Sequence, residues 1–292
     1  MIHIPVVAAV LFSSLALGQV GGGAASFGNQ RGQSGADAAR AAELAKRVIP
    51  ASDGKYIDAA VLMNVEPDEY VAMFGISTEG KTLADAQQGM DDTVAKFTGS
   101  LTGLRVPAGD IHVDFVSQNR IYGFEVVDPN LVREYVVGFE VKKTVSIRYK
   151  DKRLLDKLTG AAGEAKIFDL VKVDYVVRDF APLRRKLMEE AGKIVKAKVA
   201  DQQTLLGVEV GKLSVAVPGS MSVYYPIEMY ESYVAQEAEE VYGYRNNMTI
   251  QRMRKPRTFY YNPMLAKDFD SVINPSVVEP CVQVTIYVRV KY

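Results

Sequence analysis

The chain is poor in the side chains that usually do chemistry. Its 292 residues hold one cysteine, Cys281, and two histidines, His3 and His112. A single cysteine excludes an intramolecular disulfide, so stability must come from packing or from association. The thiol has two readings, a small residue on a strand face or a link between subunits. His112 has no neighbouring cysteine or carboxylate at ligand spacing and cannot make a zinc site, so it reads as a surface or satisfied histidine. No G-x-S-x-G elbow occurs. The carboxylate pairs Asp91-Asp92 and Glu189-Glu190 are adjacent in helical stretches, so they diverge rather than act as acid and base. The expectation is a protein that is not an enzyme, with no catalytic residue, no cofactor and no metal. Its 35 basic and 35 acidic residues cancel, which excludes a general polyanion binder. Beyond the N-terminus no segment approaches the roughly 18 consecutive apolar residues of a spanning helix, so no membrane span is expected in the mature chain.

What is present begins with an export signal. Residues 4–18 form an apolar run of signal-peptide length, and Ala16-Leu17-Gly18 places small residues at a cleavage site, although Met1-Ile2-His3 lacks the usual basic residue. The expected organisation is a signal peptide over 1–18, a flexible Gly/Ala-rich tether over 19–54 that includes Gly21-Gly22-Gly23, and a folded region over 55–292. A stretch of helix is conceivable at 34–47. The destination is the periplasm or cell envelope.

Hydrophobic periodicity divides the folded region into strands and long helices. Residues 57–65 and 70–78 are apolar runs around Glu66-Pro67-Asp68, which reads as a hairpin. Leu83, Ala86, Met90, Val94, Phe97 and Leu101 recur at helical spacing over 82–101. A strand is expected at 110–119. Residues 134–149 alternate so regularly, with Tyr135, Val137, Phe139, Val141, Val145, Ile147 and Tyr149 on one face, that the strand should exceed what a compact domain needs. Either a bulge divides it or one end projects toward another chain. A short helix at 151–158, a strand at 166–177 and a helix at 179–199 follow, with Asp179 as its cap and Leu183, Leu187, Ala191, Ile194, Val195 and Val199 as its buried stripe. Strands at 205–218 and 277–292 complete the pattern. The last has Val278, Val282, Val284, Ile286, Val288 and Val290 on a buried face and Glu279, Cys281, Gln283, Thr285, Arg289 and Lys291 on a wet one. The fold class is α+β, a largely antiparallel sheet with long strands and helices packed on one face.

This order of elements resembles the SIMPL-domain family, which includes bacterial oxidative stress defence proteins of the envelope. The local matches are Ile76-Ser77-Thr78-Glu79-Gly80-Lys81-Thr82-Leu83-Ala84-Asp85-Ala86, Gly138-Phe139-Glu140-Val141 leading to Val145-Ser146-Ile147, the helix 183–199 followed by Gly207, and Glu279-Pro280 with Val282-Gln283-Val284-Thr285-Ile286. The resemblance implies a SIMPL-like domain over 55–292, a large ring-like or barrel-like homo-oligomer, a link to oxidative stress and no catalytic residues to carry over. The departure is a long insertion at 220–274.

Two features fall outside that resemblance or compete with it. Gly75-Ile76-Ser77-Thr78-Glu79-Gly80-Lys81-Thr82 fits the phosphate-loop pattern G-x-x-x-x-G-K-T, but residues 76–79 continue a strand's alternation. A nucleotide hydrolase is the remote alternative. The insertion holds Tyr224, Tyr225, Tyr230, Tyr233, Tyr242, Tyr244, Tyr260 and Tyr261, an acidic helix-like stretch at 228–240 and a basic run containing Arg252, Arg254 and Arg257. Tyrosine and arginine are enriched at interfaces. These eleven residues form the candidate interface, unless the acidic and basic halves simply pair with each other. Basic residues among aromatics also suit single strands, but export and zero net charge argue against nucleic acid. The leading expectation is an exported, non-enzymatic homo-oligomer of the envelope, protective in oxidative stress. The alternative is a monomeric module that uses the tyrosine-rich insertion to bind an envelope protein or a glycan.

Overall fold

The computed structural model describes residues 35–45, 54–233, 258–275 and 278–292. The expected signal peptide and most of the expected tether lie outside them. The elements run α1 (Gly35–Ala45), β1 (Tyr56–Val65), β2 (Glu69–Gly80), α2 (Leu83–Gly103), β3 (Ile111–Asp128), β4 (Leu131–Tyr149), α3 (Leu154–Glu164), β5 (Asp169–Val176), α4 (Ala181–Leu205), β6 (Ser214–Tyr224), β7 (Tyr230–Tyr233), β8 (Thr258–Tyr261), β9 (Ser271–Ile273) and β10 (Val282–Lys291). The strands form two four-stranded sheets, ordered β6-β10-β1-β9 and β3-β4-β2-β5, and a β7-β8 ribbon. Among the described residues only β1-β9 is parallel. The architecture is α+β and largely antiparallel.

The expected hairpin over Glu66-Pro67-Asp68 does not form, because β1 and β2 belong to different sheets. The reason lies in β1 itself. Ala59, Ala60, Val61, Leu62 and Met63 are all buried, so both faces of this strand need cover and both edges need partners. β10 supplies one edge over the whole strand, from Tyr56 opposite Lys291 to Val65 opposite Val282, and β9 supplies the other. The chain then crosses to the second sheet, where the Asp68 amide donates to the Val176 carbonyl at 2.9 Å and the Asp68 carboxylate accepts from the Arg178 amide at 2.8 Å.

Each sheet has its own helical cover. In the second, Ala86, Met90, Phe97 and Leu101 of α2 and Leu158 and Ala162 of α3 pack on Ala72, Phe74 and Ile76 of β2 and Val141, Val145 and Ile147 of β4. Rings of Phe74 and Phe97 meet edge to face at 5.3 Å. The start of α2 is fixed by a capping box, in which the Thr82 hydroxyl accepts from the Asp85 amide and the Asp85 carboxylate accepts from the Thr82 amide. In the first sheet, Leu187, Ala191 and Val195 of α4 cover Ile57, Ala59, Val61 and Met63 of β1 and the even-numbered valines of β10 with Ile286. Asp179 accepts from the Ala181 amide at 2.8 Å, one residue before the cap position.

Three further expectations are corrected. The strand predicted from 205 starts only at Ser214, because α4 runs on to Leu205 and Gly207 then turns the chain at φ +63°. The acidic stretch from Glu228 is not helical in its described part, which is a short 3-10 turn followed by β7 paired to β8. The expected wet face of the last strand is buried from Gln283 to Arg289, with Gln283 and Thr285 fully enclosed and Arg289 4% exposed, while Glu279 and Lys291 stay exposed and Val278, expected inside, precedes β10 and is 91% exposed. Polar partners make that burial tolerable. Gln283 donates to Asn64 at 2.9 Å and accepts from the Met264 amide at 2.8 Å, Thr285 donates to Glu43 of α1 at 2.8 Å, and Arg289 pairs with Asp58. Residues from the expected insertion complete this cover, with Met229 and Met264 enclosing Leu62.

Candidate functional site

The tyrosines of the candidate interface do not act together. Tyr224 is half-buried, and its hydroxyl donates to Glu43 at 2.7 Å. Burial and the Glu43 carboxylate push that phenol upward. Tyr225 packs against the core of the first sheet. Tyr261 is half-buried and its hydroxyl donates to the Cys281 carbonyl at 3.2 Å. These three hold the fold. Tyr230 and Tyr260 are exposed on the β7-β8 ribbon, where the Tyr260 hydroxyl donates to Glu231 at 2.6 Å. Tyr233 ends β7 opposite Thr258. Tyr242, Tyr244, Arg252, Arg254 and Arg257 lie outside the described residues.

An exposed apolar face lies elsewhere among the described residues. β2 pairs with β4 only from Phe139 onward, where Gly80 ends β2. Residues 121–128 of β3 and 131–138 of β4 continue past that point, paired only with each other. At the departure Gly138 is required, since a Cβ there would lie 2.8 Å from the Gly80 carbonyl oxygen. The long strand is both extended and divided. β4 extends over 19 residues and projects, and a bulge divides it. Ile121 lies opposite Gly138 and Tyr122 opposite Val136, so Val137 is the extra residue. Beyond the bulge the alternation changes phase, and Tyr135, opposite Gly123, no longer shares a face with Phe139.

The resulting arm is amphipathic. Tyr122, Phe124 and Val126 of β3 alternate on one face with their partners Val136, Glu134 and Val132. Phe124 is 71% and Val126 75% exposed. The other face carries Gly123 with Tyr135 and the Glu125–Arg133 ion pair. No helix covers the apolar face among the described residues, and a two-stranded ribbon is marginal without a covering layer. The sequence did carry the signal, because apolar residues alternate at 122, 124 and 126, but the expected strand stopped at 119.

The remaining motifs resolve into structure. Gly75–Gly80 pair residue for residue with Thr144–Phe139, so the phosphate-loop match is an extended strand rather than a turn of convergent amides. His112 is exposed on β3 opposite Ser146. Asp91 accepts from Lys143 at 3.0 Å while Asp92 accepts from Gln88 at 2.9 Å. Glu190 is held below the usual carboxylate range by hydrogen bonds from Lys193 and Ser271. Among the described residues no group of three or more His, Cys, Asp or Glu could hold a metal. A cleft of about 960 Å³ is lined by Lys150, Lys152 and Lys186 with Glu66, Asp151 and Glu279, and Cys281 is also in its lining. Within it Lys152 pairs with Glu279. Cys281 is unpaired with another cysteine, and burial raises its thiol above the ordinary value.

No curated protein matches the chain. The model of the SIMPL family, described as a protein of unknown function (DUF541), matches residues 59–290, from within β1 to the end of β10. With both sheets and the arm inside that match, the chain belongs to the SIMPL family.

Proposed function

We propose that this SIMPL protein is exported and assembles with copies of itself through the β3–β4 arm, serving as a non-enzymatic component of the cell envelope that protects under oxidative stress. The observation that carries the reading is the face of Tyr122, Phe124, Val126, Val132 and Val136, which is apolar except for Glu134 and extends beyond the sheet with no helix over it among the described residues. Apolar area of this kind is stabilised by removal from water. A second chain is the natural cover, because the arm points away from its own core. Export is supported by residues 4–18 and by the small residues before Gln19. Among the described residues no helix is long and apolar enough to cross a membrane. The dispersal of His112 and the carboxylates supports a role without catalysis, and the stress role follows from family resemblance.

The test is the mass in solution of the chain 19–292, by light scattering coupled to size exclusion, beside a Phe124→Asp/Val126→Asp variant. A large discrete oligomer in the parent and a folded monomer in the variant is the expected result. A parent that stays monomeric at about 100 μM overturns the reading, since envelope assemblies held this weakly would have a standard binding free energy weaker than about −5.5 kcal/mol.

A further inference from the structure

The apolar face of the arm is too small to hold two copies together unaided. It runs over residues 121–128 and 131–138, about 26 Å along the strands and about 10 Å across them, or roughly 260 Å². A stable interface takes about 800 Å² from each partner. A second contact is needed, and the charges at the two ends of the second sheet provide one.

At the far end from the arm, Arg105, Arg148, Lys150 and Arg178 line a cleft of about 320 Å³ together with Glu69 and Asp110. Four cations thus face two carboxylates, and both carboxylates are engaged. Asp110 accepts from the Arg148 Nε at 2.8 Å, and Glu69 accepts from the Arg178 Nη2 at 2.6 Å. The Arg105 and Lys150 side chains make no hydrogen bond or ion pair within 4.0 Å among the described residues, although the Arg178 hydrogen bond and the Lys150 charge both help to hold Glu69 low. Arg105 also sits at φ +59°, just past the end of α2. A glycine there would avoid a cost of about 1 kcal/mol. The strained backbone sets the guanidinium on the rim of the cleft.

The arm, from Glu134 to its tip at Asp128, has the opposite character. Over residues 121–138 it carries Glu125, Asp128 and Glu134 against Arg133 alone. Arg133 is occupied by Glu125. Asp128 turns the chain by accepting from the Asn130 amide at 2.8 Å and has no cationic partner among the described residues; Glu134 has no partner among them either. The arm therefore carries an excess of two anions and the cleft lining an excess of two cations. They cannot meet within one copy, because the 19 residues of β4 hold them apart by about 60 Å.

We infer that the acidic tip of the arm on one copy docks in the basic cleft at the opposite end of the second sheet of the next copy, so that the assembly grows head to tail. This rests on the assembly reading above and deepens it. Tip and cleft are different surfaces, so the contact is heterologous and closes into a ring or continues as a filament. Charge sets the direction of docking while the apolar face supplies area.

Charge reversal tests it, with the chain 19–292 as the parent. An Arg105→Glu/Lys150→Glu variant and an Asp128→Lys/Glu134→Lys variant are each expected to associate at least about tenfold more weakly than the parent. Mixed in equal amounts, they are expected to associate again in alternation, since each reversed tip meets a reversed cleft and each native tip a native cleft. Thermal unfolding checks that each variant is folded, and Lys150→Glu alone replaces the cleft variant if Arg105 proves necessary for folding. If the parent is oligomeric and Phe124→Asp/Val126→Asp dissociates it while the cleft variant keeps full mass, the head-to-tail contact is wrong and assembly through the arm survives. A mixture that associates no more strongly than either variant alone also overturns the contact.

Discussion

The ion pair on the enclosed face of β10 allows a sharp test of how that face is held. Arg289 donates to Asp58, its directly opposite partner in β1, from Nε at 2.8 Å and from Nη2 at 2.9 Å. The arginine side chain is 5% and the aspartate 31% exposed, and the guanidinium lies 5.5 Å from the rings of both Tyr56 and Tyr287. Asp58→Ala leaves a desolvated guanidinium without its counter-ion, a change that costs about 3–5 kcal/mol in buried pairs. The partial exposure of Asp58 places the expectation near the lower end, about 3 kcal/mol. The double variant Asp58→Ala/Arg289→Met removes both charges and should lie within about 1 kcal/mol of the parent. Urea unfolding at pH 7, followed by circular dichroism, measures both. Burial pushes the Asp58 carboxyl upward, but the Arg289 hydrogen bonds, the Tyr287 hydroxyl and the charges of Arg289 and Lys198 together hold it below 3.8. A depressed folded-state value means the pair stabilises fully above the unfolded value and loses this effect as pH falls through the folded one. The gap between parent and Asp58→Ala should therefore narrow below about pH 4. A gap that is independent of pH, or a double variant no more stable than Asp58→Ala, refutes the reasoning.

Two further expectations follow from close packing. Gly138→Ala places a methyl group 2.8 Å from the Gly80 carbonyl, so β2 or the root of the arm must shift, at a cost of about 1–3 kcal/mol that chemical denaturation would resolve; an unchanged midpoint would show that the root of the arm is not held there. Cys281 is 8% exposed with a raised thiol, so a maleimide should label it far more slowly in the native protein than in urea, and non-reducing electrophoresis of the folded chain should show no linked dimer. Equal labelling rates in both states would contradict its burial.

Assembly through an arm also bears on how the rest of the protein avoids unwanted pairing. Exposed strand edges invite association, and β3 and β5 form the two edges of the second sheet. The long edge, β3, is interrupted by register shifts at 115–117, 121–122 and 126–128, which twist it away from simple edge-to-edge growth. An interface built on the arm's face and charged tip is compatible with such an edge, because it does not depend on extending the ladder.

Local pattern carried much of the fold. The apolar spacing from Leu83 to Leu101 and the Thr82–Asp85 capping box determine where α2 starts and which face it buries, because side-chain direction in a helix is fixed by its own period. The same holds for the inward valines of β10 and for the length of β4. Sequence order and local matches also pointed to the SIMPL family. What the period of a strand does not carry is the identity of its neighbours. The turn at Pro67 looks the same whether β1 and β2 pair or part, and only the competition for β10 and β4 separates them. The outward residues of β10 read as wet because they are polar, and they are buried because α1 and residues after β6 bring partners to them. The candidate site changed for the same reason. Tyr224 and Tyr261 are anchors inside a layer the linear pattern did not reveal, while the arm is exposed because β2 stops at Gly80 and β4 does not. Composition and periodicity fixed the elements; which surfaces stay uncovered was decided by how those elements share their edges.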